Sequence, residues 1–141
     1  MISECAQSLI DLVKATPGDL FGTTTKRVGL AVGGNSVDPL MVNVPIPAAW
    51  VIFTSDENVS TTSRVMCGPM VKFNFVIKII MKYTTEADII ANQYTILDAV
   101  RDTVHAATGP KGNQWKYEGQ VLEELTDRMV FEQRYSLTVT A

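Results

Sequence analysis

His105 is the only histidine of the chain, and it is the first place to look for acid–base chemistry. Its position is the last turn of an expected helix, where the carbonyl end of the dipole favours an imidazolium. A general base also needs an orienting partner and a group to act on within hydrogen-bond reach. The sequence supplies no candidate triad, so a structural histidine is expected. Asp56–Glu57 and Glu123–Glu124 are adjacent acidic pairs. A glycosidase sets two carboxylates facing each other across a substrate, whereas neighbours on a strand project to opposite faces. Solvated loop charge is the expectation for both, and Asp56 with Glu57 lacks the spacing of a cation-binding loop. Gly29, Gly33 and Gly34 lack the Gly-Lys-Ser/Thr ending of a phosphate loop and precede no helix, so a hairpin turn accounts for them. Trp50 and Trp115 could stack a base or a sugar, but their apolar, strand-like settings favour core packing. Cys5 and Cys67 are the two cysteines, without a Cys-x-x-Cys pair or a histidine at ligand spacing. Two reduced thiols are expected, with no metal, no cofactor and no enzyme activity implied.

The charged pattern with the clearest order is a stripe of lysines. Lys72, Lys78 and Lys82 share one parity in the run Met70–Tyr83, and they form the only basic stripe in the chain. Two readings stand side by side. The stripe is a solvated sheet face that discourages edge-to-edge aggregation, or it is an electrostatic seam that meets acid on a partner. The stretch Glu118–Asp127, with Glu118, Glu123, Glu124 and Asp127, is the candidate countercharge.

The elements that position these residues follow from periodicity. Val71, Phe73, Phe75, Ile77, Ile79, Met81 and Tyr83 alternate with Lys72, Asn74, Lys78 and Lys82, with Val76 and Ile80 among the latter. A period of two over this length is a β-strand with one buried and one wetter face. Met129–Thr140 repeats the device. Strands this long reach well past a small one-layer core, since about 14 residues at ~3.4 Å each span roughly 45 Å. Part of the sheet is therefore expected to curl or to serve another subunit. Ser3 is the expected N-cap of a helix over Glu4–Lys14, whose stripe is Ala6, Leu9, Ile10 and Val13. Val28, Leu30 and Val32 alternate in a short strand, and the prolines of Ser36–Pro47 point to an extended connection or an edge. Ala48–Thr54 reads as a strand and Ser55–Pro69 as a polar, exposed loop. Thr85 caps a second helix, with Asp88 three residues on and a stripe of Ile89, Ile90, Ile96, Leu97, Val100 and Val104. Gly109-Pro110 stops it, and Trp115–Gly119 is a short strand.

Together these give an α+β fold, a mainly antiparallel curved sheet with two helices packed on one face, in a single domain over 1–141. A chain of 141 residues with 46% apolar and 19% charged residues can bury a sizeable core. The net charge of −3 argues against binding nucleic acid through phosphates. No apolar run reaches bilayer-spanning length, and Glu4 and Asp11 interrupt any leader-like segment at Met1–Lys14.

A family resemblance rests on element order and texture. An N-terminal helix is followed by an apolar strand running into a polar loop (AAWVIFTSDENVSTTSRV). A long alternating strand (VKFNFVIKIIMKY) then enters a helix (EADIIANQYTILDAVRDTVHAATG), and WKYEGQVLEELTDRMVFEQRYSLTVTA closes the chain. This resembles the tail terminator family of tailed bacteriophages and related neck or tail-completion proteins. The proline-rich Ser36–Pro47 insert and the acidic Glu118–Asp127 stretch depart from that pattern. The resemblance implies a homohexameric ring at the head-proximal end of the tail tube, assembled in the host cytoplasm and carried in the virion. The implied partners are further copies of the chain, the tail tube protein, a neck, head-completion or connector protein, and the sheath where the tail has one. The genome would pass the lumen without sequence-specific contact, and no membrane is involved. By this analogy the polar loop Asp56–Arg64 (with Asp56, Glu57, Asn58 and Arg64) meets the tube. Lys72, Lys78 and Lys82 then face a subunit seam or the lumen, with Glu123 and Glu124 as acids at that interface.

Overall fold

The computed structural model of the chain describes residues 1–18, 20–21, 28–30, 46–59, 70–125 and 128–140. Helix α1 spans Ile2–Lys14 and buries Cys5, Ala6, Leu9 and Val13. Ser3 is not its cap. The Cys5 N–H donates to the Met1 carbonyl at 3.0 Å, so the helix opens earlier, at Ile2, on main chain alone and Ser3 falls inside it. Glu4 and Lys14 sit at the helix ends their charges favour.

Five strands form one sheet: β1 (Val28–Leu30), β2 (Ala48–Asn58), β3 (Met70–Lys82), β4 (Lys116–Leu125) and β5 (Arg128–Thr140). Their spatial order is β1-β2-β3-β5-β4. β1 runs parallel to β2 and every other pair is antiparallel. The two long alternating runs are neighbours, paired from Met70 against Thr140 to Lys82 against Arg128. Between β3 and β4 lies α2, which opens with an α turn (Glu86–Asp88), passes through a π turn (Ile89–Gln93) and continues as Tyr94–Val104. Thr85 caps it as expected, its hydroxyl accepting from the Asp88 N–H. The helix ends at Val104, before Gly109-Pro110, and a 3₁₀ turn over Pro110–Gly112 leads back to the sheet.

The odd-numbered residues of β3 and β5 do what their period demands. Phe73, Phe75, Ile77, Ile79, Met81, Met129, Tyr135 and Leu137 are buried against Leu9, Val13, Leu97, Val100 and Val104 of the helices. Each such side chain contributes on the order of 1.5–3 kcal/mol on burial. Trp115 packs edge-on to Phe75 with centroids 5.8 Å apart, and its indole N–H donates to Ser8 at 3.2 Å. Gly109 makes room for it, since a Cβ there would lie 2.9 Å from the indole nitrogen. Gln133 is fully buried in the same layer. Its amide donates to the Leu97 carbonyl and to Gln120, and its oxygen accepts from the Tyr135 hydroxyl at 2.8 Å. The opposite face carries a second apolar cluster of Ala48, Trp50, Ile80 and Val130, so this face is not uniformly wet.

Three expectations need correction. β2 continues through Asp56, Glu57 and Asn58, where a loop was expected from Ser55 onward, because its cross-strand ladder with β3 runs on past a bulge at Phe53/Ser55. β4 extends past Gly119 to Leu125, so Glu123 and Glu124 lie on a strand and not in a loop. Ile90 leaves the buried stripe of α2 and is 60% exposed, since the π turn adds a residue per turn and rotates it away. Val32, the 36–45 part of the proline-rich segment, Arg64, Cys67 and Asp127 lie outside the described residues.

Candidate functional site

The even-numbered residues of β3 bring Lys72, Asn74 and Lys78 onto the sheet face turned away from the helices, and the strands on either side supply their partners. Lys72 Nζ lies 3.8 Å from Glu57 on β2 and 3.7 Å from Glu118 on β4. Glu118 also takes a 2.7 Å hydrogen bond from the Ser136 hydroxyl and stands 3.9 Å from Lys116. The Ser136 bond first, with Lys72 and Lys116 behind it, holds the Glu118 carboxyl below its ordinary range. Lys78 is only 15% exposed at its side chain and makes a 2.6 Å ion pair with Glu123. Lys72 and Lys78 are thus matched by carboxylates of their own chain, from strands that are far apart in sequence. Asn74 donates to Ser55 and its carbonyl accepts from Thr54, tying the bulge of β2 to β3. These groups border a shallow polar hollow of about 420 Å³, lined also by Glu132 and Arg134.

The remaining candidates are spread along the same sheet. Asp56 and Asn58 stand opposite Phe73 and Val71 at the far end of β2. Lys82 ends β3 in an exposed position opposite Arg128. Glu124 sits opposite Val130, just past a bulge in β4 that begins after Leu122. Among the described residues the candidates are strung along the sheet, from Asp56 and Asn58 at one end of β2 to Lys82 at the end of β3.

His105 caps the end of α2 instead of sitting within its last turn, and its Nδ1 accepts the Tyr117 N–H at 3.1 Å. That bond fixes the start of β4 to the helix end, a structural task. Trp50 and Trp115 are both buried, at 4% and 1% exposure. Among the described residues no group of three His, Cys, Asp or Glu side chains could hold a metal ion. Among the same residues no helix is long and apolar enough to cross a membrane.

A second surface lies at the end of the sheet where α2 begins. Tyr83, Ile90, Tyr94, Leu122 and Leu125 are all large, apolar and substantially exposed, and they line a groove of about 450 Å³ floored by Met129 and Phe131. Asp88 at its helix turn accepts from Thr84, Asn92 and Gln93, and these bonds pull its carboxyl below the ordinary range. Sequence periodicity had no means of finding this groove. Its one signal is the pair Val121-Leu122 set among acids.

The fold has a solved counterpart. A chain of a structure titled "Virion of native gene transfer agent (GTA) particle" superposes with a TM-score of 0.61, over 99% of this chain and 97% of that one. The two are 16% identical, so what they share is the fold. No protein-family model matches the chain, and no curated protein does.

Proposed function

We propose that this chain is a structural subunit of a phage-like particle, a tail terminator whose ring caps the head-proximal end of the tail tube, stops its growth and joins tail to neck or head. The observation that carries the reading is end-to-end agreement in fold with a chain of a phage-like virion, nearly the full length of each being used. A terminator works by outline: each subunit occupies the tube end and offers no site for the next tube ring. The architecture suits that task. A sheet with two unlike edges lends itself to head-to-tail contacts, and such contacts close into a ring when the rotation per subunit is right. The partners are then five further copies, the tube protein, a neck or connector protein and, in a contractile tail, the sheath. The genome would thread the lumen. Asp56, Glu57, Asn58 and Arg64 are proposed to face the tube, with Lys72, Lys78, Lys82, Glu123 and Glu124 at a seam or the lumen. There complementary charge sets register more than affinity.

A neck or head–tail joining ring of the same fold is the second reading, and the same superposition favours it. Two measurements separate the possibilities. Light scattering behind a sizing column is expected to give a particle near six times 15.5 kDa, and negative-stain images with tail tubes should show caps at one tube end. A ring that leaves tubes bare but binds a connector supports the second reading. A protomer that stays single, ignores tubes and turns over a small molecule overturns both.

A further inference from the structure

Two irregularities of the backbone turn apolar side chains into one place. Leu122 and Leu125 are three residues apart, which on a regular strand would send them to opposite faces. The bulge of β4 between Leu122 and Glu124 resets the alternation. Leu122 therefore stands opposite Phe131 and Leu125 opposite Met129, both on the helix-covered side. Across from them the π turn of α2 swings Ile90 outward, with Tyr94 one turn further on. β-Bulges and π turns both recur where a chain re-aims side chains for a task. Here they leave Ile90, Tyr94, Leu122 and Leu125 between 43% and 60% exposed around the groove of about 450 Å³. Its lining lies wholly within the described segments 70–125 and 128–140.

The groove is set before anything enters it. Asp88 accepts from Thr84, Asn92 and Gln93, which ties the approach from β3 to the π turn. Tyr94 stands edge-on to Phe131 with centroids 6.3 Å apart, so wall and floor are in contact. A wall already in place spares an incoming segment the cost of ordering it. The bulge also spoils this part of the β4 edge for an added strand. A helix laid between the apolar walls is the better occupant.

Charge and area say what that helix carries and where it comes from. Among the described residues Glu86 is the one charged side chain that lines the groove, and no ion pair engages it. Two copies set groove to groove would bring both Glu86 carboxylates into one contact, with no lysine or arginine in the lining to separate them. Five large side chains at about half exposure offer roughly 500 Å². That falls short of the ~800 Å² each partner of a stable dimer contributes. We propose that the groove docks an amphipathic helix of another protein, with large apolar residues seated between Ile90, Tyr94, Leu122 and Leu125 and a lysine or arginine set against Glu86. This goes beyond the ring reading and does not depend on it.

The probe is a fluorescein-labelled synthetic helix of leucine and lysine, its leucines at helical spacing, titrated with the full chain and followed by anisotropy. One control has the same composition with the leucines dispersed around the helix, and the other has glutamate in place of lysine. Saturable binding of the lysine helix is expected, about ten-fold tighter than either control. Ile90→Ser and Leu125→Ser, both at exposed positions, should each weaken it several-fold with circular dichroism and the ring mass unchanged. Glu86→Lys should shift the preference toward the glutamate helix. Equal binding of the dispersed-leucine peptide, or affinity unmoved by both serine variants, overturns the docking site. A preference unmoved by Glu86→Lys overturns the basic partner. A dimer that forms with concentration and is lost in Leu125→Ser makes a second copy the occupant, and loss of the ring mass in either serine variant makes the groove a seam between copies. Both of those results overturn the proposal, the second while leaving the ring standing.

Discussion

Glu118 is the residue on which the outer face turns, because it gathers a hydroxyl and two lysines from three strands. Its depressed carboxyl has a consequence of definite sign. A group that is more acidic folded than unfolded stabilises the fold fully above its unfolded value and loses that contribution as pH falls through its folded one. Asp88 acts in the same direction through Thr84, Asn92 and Gln93. Stability should therefore be level at neutral pH and decline on acidification below about pH 4.5. Glu118→Gln is expected to lower the melting temperature at neutral pH and to flatten the acid limb, as followed by circular dichroism. An acid limb unchanged in that variant would mean the carboxylate is not held by these partners. The sequence offered Glu118 as a countercharge for the lysine stripe, but gave no sign of the Ser136 bond, which joins residues on different strands.

Among the elements, legibility tracked the cover the helices provide. β3 and β5 were readable because one face of each meets α1 and α2 and the other does not, which writes a period of two into the residues. The far end of β2 and most of β4 lie beyond that cover. Both faces there are wet, alternation vanishes, and strand residues such as Asp56 and Glu123 look like loop. The π turn defeated periodicity for the opposite reason, since Ile90 keeps the right spacing for an α-helix that is not there. The lysine stripe and its candidate acids were visible but their pairing within one chain was not, as Lys78 and Glu123 meet only through the insertion of β5 between β3 and β4. This gives an element-scale expectation. Lys78→Glu or Glu123→Lys alone should cost on the order of 1 kcal/mol or more in urea unfolding, and the double swap should recover part of it. Strict additivity of the two losses would show that the pair does not couple β4 to the rest of the sheet.

At the scale of the molecule, the fold class expected from the residues is the one observed, down to helices on one face. What composition and order could not convey is which apolar residues the helices leave bare. Leu30, Leu122 and Leu125 look in sequence like any core leucine, and only the register shows them on strands at opposite edges of the sheet. If copies assemble as the proposed ring, folding and assembly are linked by mass action. The melting temperature should then rise with protein concentration. A melting curve independent of concentration would argue against assembly.

The two tryptophans are the only ones in the chain and lie on opposite faces of the sheet, Trp115 under the helices with its N–H bonded to Ser8 and Trp50 on the far side with its N–H buried and unbonded. The intrinsic fluorescence of the protein is consequently the sum of two lamps in different surroundings. Each indole reports, without any label, on the integrity of its own side of the sheet.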